Sequence, residues 1–254
     1  MCSGIQLKRR IAVERRTIAA AHATTAESRA AGPHETIEMH PRTDHEPQFD
    51  PAFRAQLQTL LEWRRDVRAF RREPLPDGAL DRLIAMAALA PSVGLSQPWR
   101  FVTVDVPARR AAVRASFASC NAAALAGQAG ARAALYARLK LAGLDDAPAQ
   151  VAAFVDPDPP RGHGLGRGTM PETLAYSVVT AVHTIWLAAR AEGIGVGWVS
   201  ILDPGAVARA LDVPAAWRLV AYLCVGHPAA ADDVPALARA GWEEREAVPA
   251  VLRR

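Results

Sequence analysis

Three arginines within five residues, Arg64, Arg65 and Arg68, bracket Asp66 in the run RRDVR. Guanidinium groups match phosphate oxygens two donors at a time, so such a cluster can hold a phosphomonoester. An arginine run also serves as a solvated charged patch, and taken alone RRDVR fits that description first. Asp66 stands among cations and is expected to be ionised in either setting. Ser92, Ser96 and Gln97 fall in a Pro/Gly-rich loop, PSVGLSQPW, where ligand contacts and turn-forming caps are both at home. Arg161, His163 and Arg167 lie in a second loop, Pro157–Thr169, which could close over an anion or stay solvated. Gly193, Gly195 and Gly197 alternate, leaving one side of an extended backbone bare. A flat ligand could lie there, and a helix C-cap running into a buried strand explains the glycines equally well. His183, inside an apolar helix, is expected to be a satisfied core histidine.

Several chemistries find no footing. The glycine spacing is not GxGxxG and follows a helix, so the dinucleotide fingerprint does not apply. No Ser/His/Asp or Cys/His pattern, P-loop or carboxylate pair stands out. Cys2, Cys120 and Cys224 lie far apart with no CxxC, which argues against a zinc site or disulfide framework.

Periodicity supplies the elements that would position these residues. Phe53, Leu57, Leu60 and Leu61 mark an amphipathic helix over Pro51–Trp63 that leads straight into RRDVR. A second helix starts near Pro76-Asp77 and ends at Ala90-Pro91. Strands are expected over Arg100–Val106, Ala149–Asp156, Trp198–Leu202 and Trp217–Val225, the last buried on both faces. Pro107–Gly143 is alanine-rich and helical, with breaks expected at Asn121 and at Gly127/Gly130. Met170–Arg190 is an apolar central helix, and a short helix follows Pro204. The tail after Pro228 is polar with one apolar anchor, Trp242. Helices alternating with strands suggest, by pattern alone, an α/β sheet with helices on both faces.

With 254 residues, half of them hydrophobic and 22% charged, the chain can bury a large core in one domain. No run of about eighteen apolar residues is present, so no transmembrane helix is expected, and a cytoplasmic location is the default. The net charge of +4 is scattered arginine without aromatic interleaving, which is weak support for nucleic-acid binding. Residues 1–50 differ from the rest: basic clusters, an alanine/threonine stretch, then His34, His40 and His45 without metal-ligand spacing. They are expected to be a disordered extension with a short helix near Ile11–His22. Their early composition has features of a transit peptide, but an upstream start codon, with Met39 as the alternative start, explains it more simply.

The runs RRDVR (64–68), APSVGLSQPWRF (90–101), RGHGLGRGTMPE (161–172), LAARAEGIGVGWVSILDP (187–204) and WRLVAYLCVGHP (217–228) together resemble the nitroreductase-like flavin superfamily. The resemblance runs unbroken over about residues 50–254. It implies an α+β three-layer sandwich, a central, mostly antiparallel sheet flanked by helices, in an intertwined homodimer with flavin sites between subunits. By the same resemblance, Arg64, Arg65, Asp66, Val67 and Arg68 hold FMN, Ser92 adds a polar contact, and the glycine-rich segment Gly193–Ser200, with Gly197 and Ser200, lies against the isoalloxazine. More narrowly, the chain is similar to a branch that consumes its flavin. There reduced FMN and O2 yield 5,6-dimethylbenzimidazole, the lower ligand of vitamin B12. In that branch Asp66 and Ser200 correspond to the residues tied to fragmentation. A flavin reductase supplying reduced FMN is then an implied partner, with Pro157–Thr169 as a lid. Two alternatives are an FMN-dependent NAD(P)H reductase of nitro, quinone or cobalt(II)-corrinoid substrates, and a non-enzymatic flavin- or nucleic-acid-binding protein.

Overall fold

The computed structural model describes residues 46–246 and 250–252. The expectations of disorder, a short helix and an alternative start before residue 46 lie outside the described residues.

Asp50 caps helix α1 (Pro51–Trp63) by accepting from Phe53 N at 2.7 Å, and Pro51 opens its first turn. The periodic face is there, but α1 buries none of it: Phe53, Leu57 and Leu61 are all more than 40% exposed. Helix α2 (Ala79–Ala85) starts two residues after Asp77 and passes through a short 3-10 turn to Ala90. Strand β1 (Trp99–Thr103) is shorter than its alternation suggests, because the chain leaves the sheet before Pro107 opens helix α3 (Pro107–Ala126). Asn121 does not break that helix. The break comes at residues 127–129, and α4 (Gly130–Tyr136) follows. Strand β2 (Ala149–Val155), helix α5 (Thr173–Ala191), strand β3 (Gly195–Val199), helix α6 (Pro204–Leu211), strand β4 (Arg218–Gly226) and helix α7 (Ala236–Arg239) complete the chain.

The four strands form one sheet in the order β1-β2-β4-β3, every pair antiparallel. The sheet is antiparallel, as the family resemblance implies, and not the parallel one to which an α/β reading of the alternation would lead. Continuous apolar runs such as AQVAAFV report that both faces are covered, not which way the neighbouring strand runs. On one face Val151, Ala153 and Val155 pack with Val178, Val182 and Ile185 of α5 and with Leu83 of α2. On the other, Ala152 and Phe154 pack with Val113 of α3 and with Val207 and Leu211 of α6. Helices on each side of an antiparallel sheet make the three-layer α+β sandwich.

Helix α5 is the one described helix that is long and apolar enough to span a membrane by length and composition alone. Eight of its residues are buried against the sheet and neighbouring helices, so its apolarity serves the core. Its outer strip tells a different story. Tyr176, Val179 and His183 are exposed there, so His183 is not the core histidine expected from the helix's composition. A helix apolar nearly all round shows no sequence signal for which strip is left uncovered.

Candidate active site

RRDVR enters as the chain leaves α1 and runs beside the free edge of β3. Val67 N donates to Val196 O at 3.0 Å, and Asp66 bridges to Val196 in parallel. The segment thus covers an edge strand that would otherwise present unpaired backbone. Asp66 adds its side chain to this pairing: Oδ1 accepts from Trp198 N at 2.8 Å, while Oδ2 meets Arg68 Nε at 2.9 Å. The carboxylate remains partly exposed, with 29% of its side-chain surface open.

The alternating glycines serve this docking. A Cβ on Gly197 would fall on the carbonyl oxygen of Val67, and one on Gly195 would meet Val67 Cγ2 at 2.8 Å. The bare side expected to receive a flat ligand is therefore filled by the protein's own RRDVR segment. Glycine is required because two backbones approach within contact distance. Gly197 thus lets Asp66 and Val67 lie where they do. Ser200 is exposed just beyond the end of β3, two residues past Trp198, about 7 Å at strand rise. Asp66 and Ser200 are thereby brought to the same edge of the sheet.

The arginines divide by role. Arg65 Nε donates to Asp233 O at 2.8 Å and Nη1 to Arg64 O at 2.8 Å; Nη2 donates to Glu62 O and Asp233 O. These bonds fasten the C-terminal segment, so Arg65, expected to face a phosphate, is engaged with carbonyls. Arg64 lies over the Trp186 ring, 5.0 Å from its centroid, and Trp186 Nε1 donates to Arg65 O at 3.1 Å. Arg64, Arg65 and Arg68 line a small cavity of about 140 Å³ together with a fourth arginine, Arg245, from the C-terminal segment. Burial lowers the Arg64 guanidinium from its ordinary value, and the nearby Arg245 adds to that, with Asp66 opposing. Burial likewise lowers Arg65 first, followed by Arg245 and Arg64. With Arg65 engaged by carbonyls, Arg64, Arg68 and Arg245 around one carboxylate remain as a set suited to a doubly charged oxyanion. Beside it opens a larger cavity of about 310 Å³, walled by Trp63, Trp186 and Val196 and roofed by residues 228–240.

Sequence reasoning missed Arg245, which lies far from RRDVR in a tail that reads as polar. The remaining signal was Trp242 beside it, an apolar residue with no apparent place to go.

Ser92 is not with this cluster. Its Oγ accepts from Gln97 N at 3.1 Å, which closes the turn, and Val93 N donates to Ser177 Oγ at 3.0 Å near the start of α5. Trp186, beside the arginines, is nine residues further on, about 14 Å along the helix axis. The turn holds two non-glycine residues with positive φ, Leu95 (55°) and Gln97 (45°). Ser96 is buried, and its hydroxyl is the only buried side-chain polar atom without a partner among the described residues. The Pro157–Thr169 loop rests on this turn, with Gly162 against Ser96. Arg167 pins the loop's base by donating to Asp158 Oδ1 at 3.0 Å, whereas Arg161 and His163 point to solvent as exposed residues.

Comparison with known proteins identifies the family. The model of the Nitroreductase family matches residues 61–227, and the chain belongs to that family. A 5,6-dimethylbenzimidazole synthase of Rhodospirillum rubrum is 58% identical over 207 residues, covering 82% of this chain and 98% of that protein. One of Rhodobacter capsulatus is 53% identical over 196 residues, covering 77% of this chain and 95% of that protein. Among solved structures, oxidized iodotyrosine deiodinase bound to FMN and 3-iodo-L-tyrosine superposes with a TM-score of 0.61 at 22% identity. That alignment covers 78% of this chain and 97% of that one, and it speaks to the fold.

Proposed function

We propose that this protein is a 5,6-dimethylbenzimidazole synthase, converting reduced FMN and O2 to 5,6-dimethylbenzimidazole. The observation that carries this reading is the 58% identity, nearly end to end, with a relative of that name. The site geometry supports it. Arg64, Arg68 and Arg245 offer the donors that a flavin phosphate requires, and Arg65 ties the covering segment over them. Reduced flavin, once bound, supplies the electrons that activate dioxygen.

The chain's own groups have separable tasks. Asp66, hung from Trp198 N, can accept or pass a proton while its second oxygen stays oriented by Arg68. Ser200 brings a hydroxyl to the same strand edge, where it can hydrogen-bond a reacting oxygen and fix its geometry. Residues 228–240 cover the larger cavity, where they would limit the access of water to a bound flavin.

The separation of Ser92 from the arginines supports a site shared between two copies. If α5 of one copy packs antiparallel on α5 of another through Tyr176, Val179 and His183, the partner's Ser92 turn approaches the arginine end. The open apolar faces of α1 and α5 are the surfaces such a homodimer would cover. Residues 51–254 are then the flavin-binding domain, and residues 1–50 an extension outside it.

The rival reading within the family is an NAD(P)H-dependent reductase that retains and recycles FMN. Stoichiometry separates the two. With one equivalent of photoreduced FMN and air, the synthase irreversibly loses the visible absorbance of oxidised flavin. Full return of that absorbance, with catalytic NAD(P)H oxidation in the presence of a quinone, would instead assign the reductase.

A further inference from the structure

The C-terminal segment over the arginine cavity is held by an aromatic clamp. Helix α7 ends in a left-handed glycine, Gly241, with φ of 72°. Gly241 N donates to Ala238 O and Trp242 N to Leu237 O, each at 2.9 Å, the paired bonds of a Schellman turn. The turn sends Trp242 back against Tyr136 of α4, ring centroids 5.9 Å apart and edge-on at 65°. Arg132, one turn earlier on α4, covers the indole at 5.1 Å. Tyr136 is itself fixed, because its hydroxyl donates to Asn121 Oδ1 of α3 at 2.8 Å. A rigid path therefore runs from α3 through Tyr136 to Trp242.

Beyond Trp242 the described chain forms neither helix nor strand, and residues 243–246 are exposed. Trp242 is the last packed residue before Arg245, three positions on. Arg245 nevertheless reaches the cavity lined by Arg64, Arg65 and Arg68. No carboxylate forms an ion pair with it among the described residues. Four guanidinium groups share one carboxylate there, Asp66, so their mutual repulsion is only partly offset and the packing upstream helps to hold Arg245 in place.

We propose that Trp242 is a positioning residue: docked on Tyr136, it holds the C-terminal strap so that Arg245 completes a phosphomonoester site with Arg64 and Arg68. The proposal rests on reading that cavity as the place of the FMN phosphate. It makes phosphate recognition depend on a residue that touches no phosphate.

The test compares FMN with riboflavin, which lacks only the phosphate, by fluorescence titration of wild type, Arg245→Gln, Trp242→Ala and Trp242→Phe. Wild type should prefer FMN by tenfold or more, on the order of one or two charge-assisted hydrogen bonds. Arg245→Gln and Trp242→Ala should both shrink that preference several-fold while leaving riboflavin affinity unchanged, and Trp242→Phe should restore most of it. Should Trp242→Ala fail to fold, Arg132→Ala, which uncovers only the outer indole face, should still reduce the FMN preference. A wild-type preference that survives in Trp242→Ala, or in Arg132→Ala where that stands in, overturns the proposal while leaving the phosphate reading intact. A wild type that binds both flavins equally overturns the phosphate reading and the proposal with it.

Discussion

Replacing Asp66 by asparagine separates its two tasks. The amide oxygen can still accept from Trp198 N, but the charge that pairs with Arg68, and to which the proposed reaction assigns proton transfer, is gone. Asp66→Asn is expected to fold, with a stability change of about 1 kcal/mol or less for a partly exposed pair, and to lose dimethylbenzimidazole formation. Circular dichroism beside a product assay checks both halves; an unfolded variant would make Asp66 chiefly a strand-docking residue. Ser96 offers the opposite case. A buried hydroxyl without a partner is a cost, so Ser96→Ala should leave stability unchanged or raise it by up to about 1 kcal/mol. A clear drop in thermal midpoint would show that the hydroxyl has a bonding partner in solution.

At the scale of elements, the edge of β3 is the point on which the site turns. Gly197→Ala would push a methyl group into the Val67 carbonyl, forcing RRDVR off the sheet. The expected loss is on the order of 1–3 kcal/mol, accompanied by weaker FMN binding, measurable by denaturant titration and flavin fluorescence. Unchanged binding would mean that RRDVR need not dock on β3. The helices and strands were largely legible, because Phe53/Leu57/Leu61 and the glycine-to-strand transition at residues 193–199 are local patterns. Their use was less so. Alternating glycines announce a bare side of the backbone without saying whether a ligand or another strand will fill it. Arg64, Arg65 and Arg68 were visible as a cluster, while the diversion of Arg65 to Asp233 and the arrival of Arg245 depend on how a distant tail folds back. The direction of the sheet was equally hidden, since a strand buried on both faces reads the same in either orientation.

For the whole molecule, the exposed strip of α5 predicts association. Val179→Asp, facing outward, should leave the fold of the single chain intact while shifting sedimentation from dimer to monomer and weakening flavin binding together. Dimerisation unaffected by Val179→Asp would remove α5 from the interface. The core carries its own pH signature. Burial pushes the Cys224 thiol up to about 12 and raises the Tyr222 hydroxyl as well. Groups with raised values in the fold stabilise it fully below their unfolded values, and that contribution is lost as pH climbs towards the folded ones. Stability should therefore fall from about pH 9, near the ordinary thiol value, towards pH 12. Cys224→Ala should flatten part of that decline in pH-dependent urea titrations, and an unchanged slope would exclude Cys224 as its source.

The central claim is that this site consumes the flavin it binds. The most direct measurement is anaerobic photoreduction of FMN with the purified protein, admission of air, and chromatographic separation of the products. The account predicts 5,6-dimethylbenzimidazole from wild type and none from Asp66→Asn. Recovery of intact FMN as the sole flavin product from wild type would contradict it.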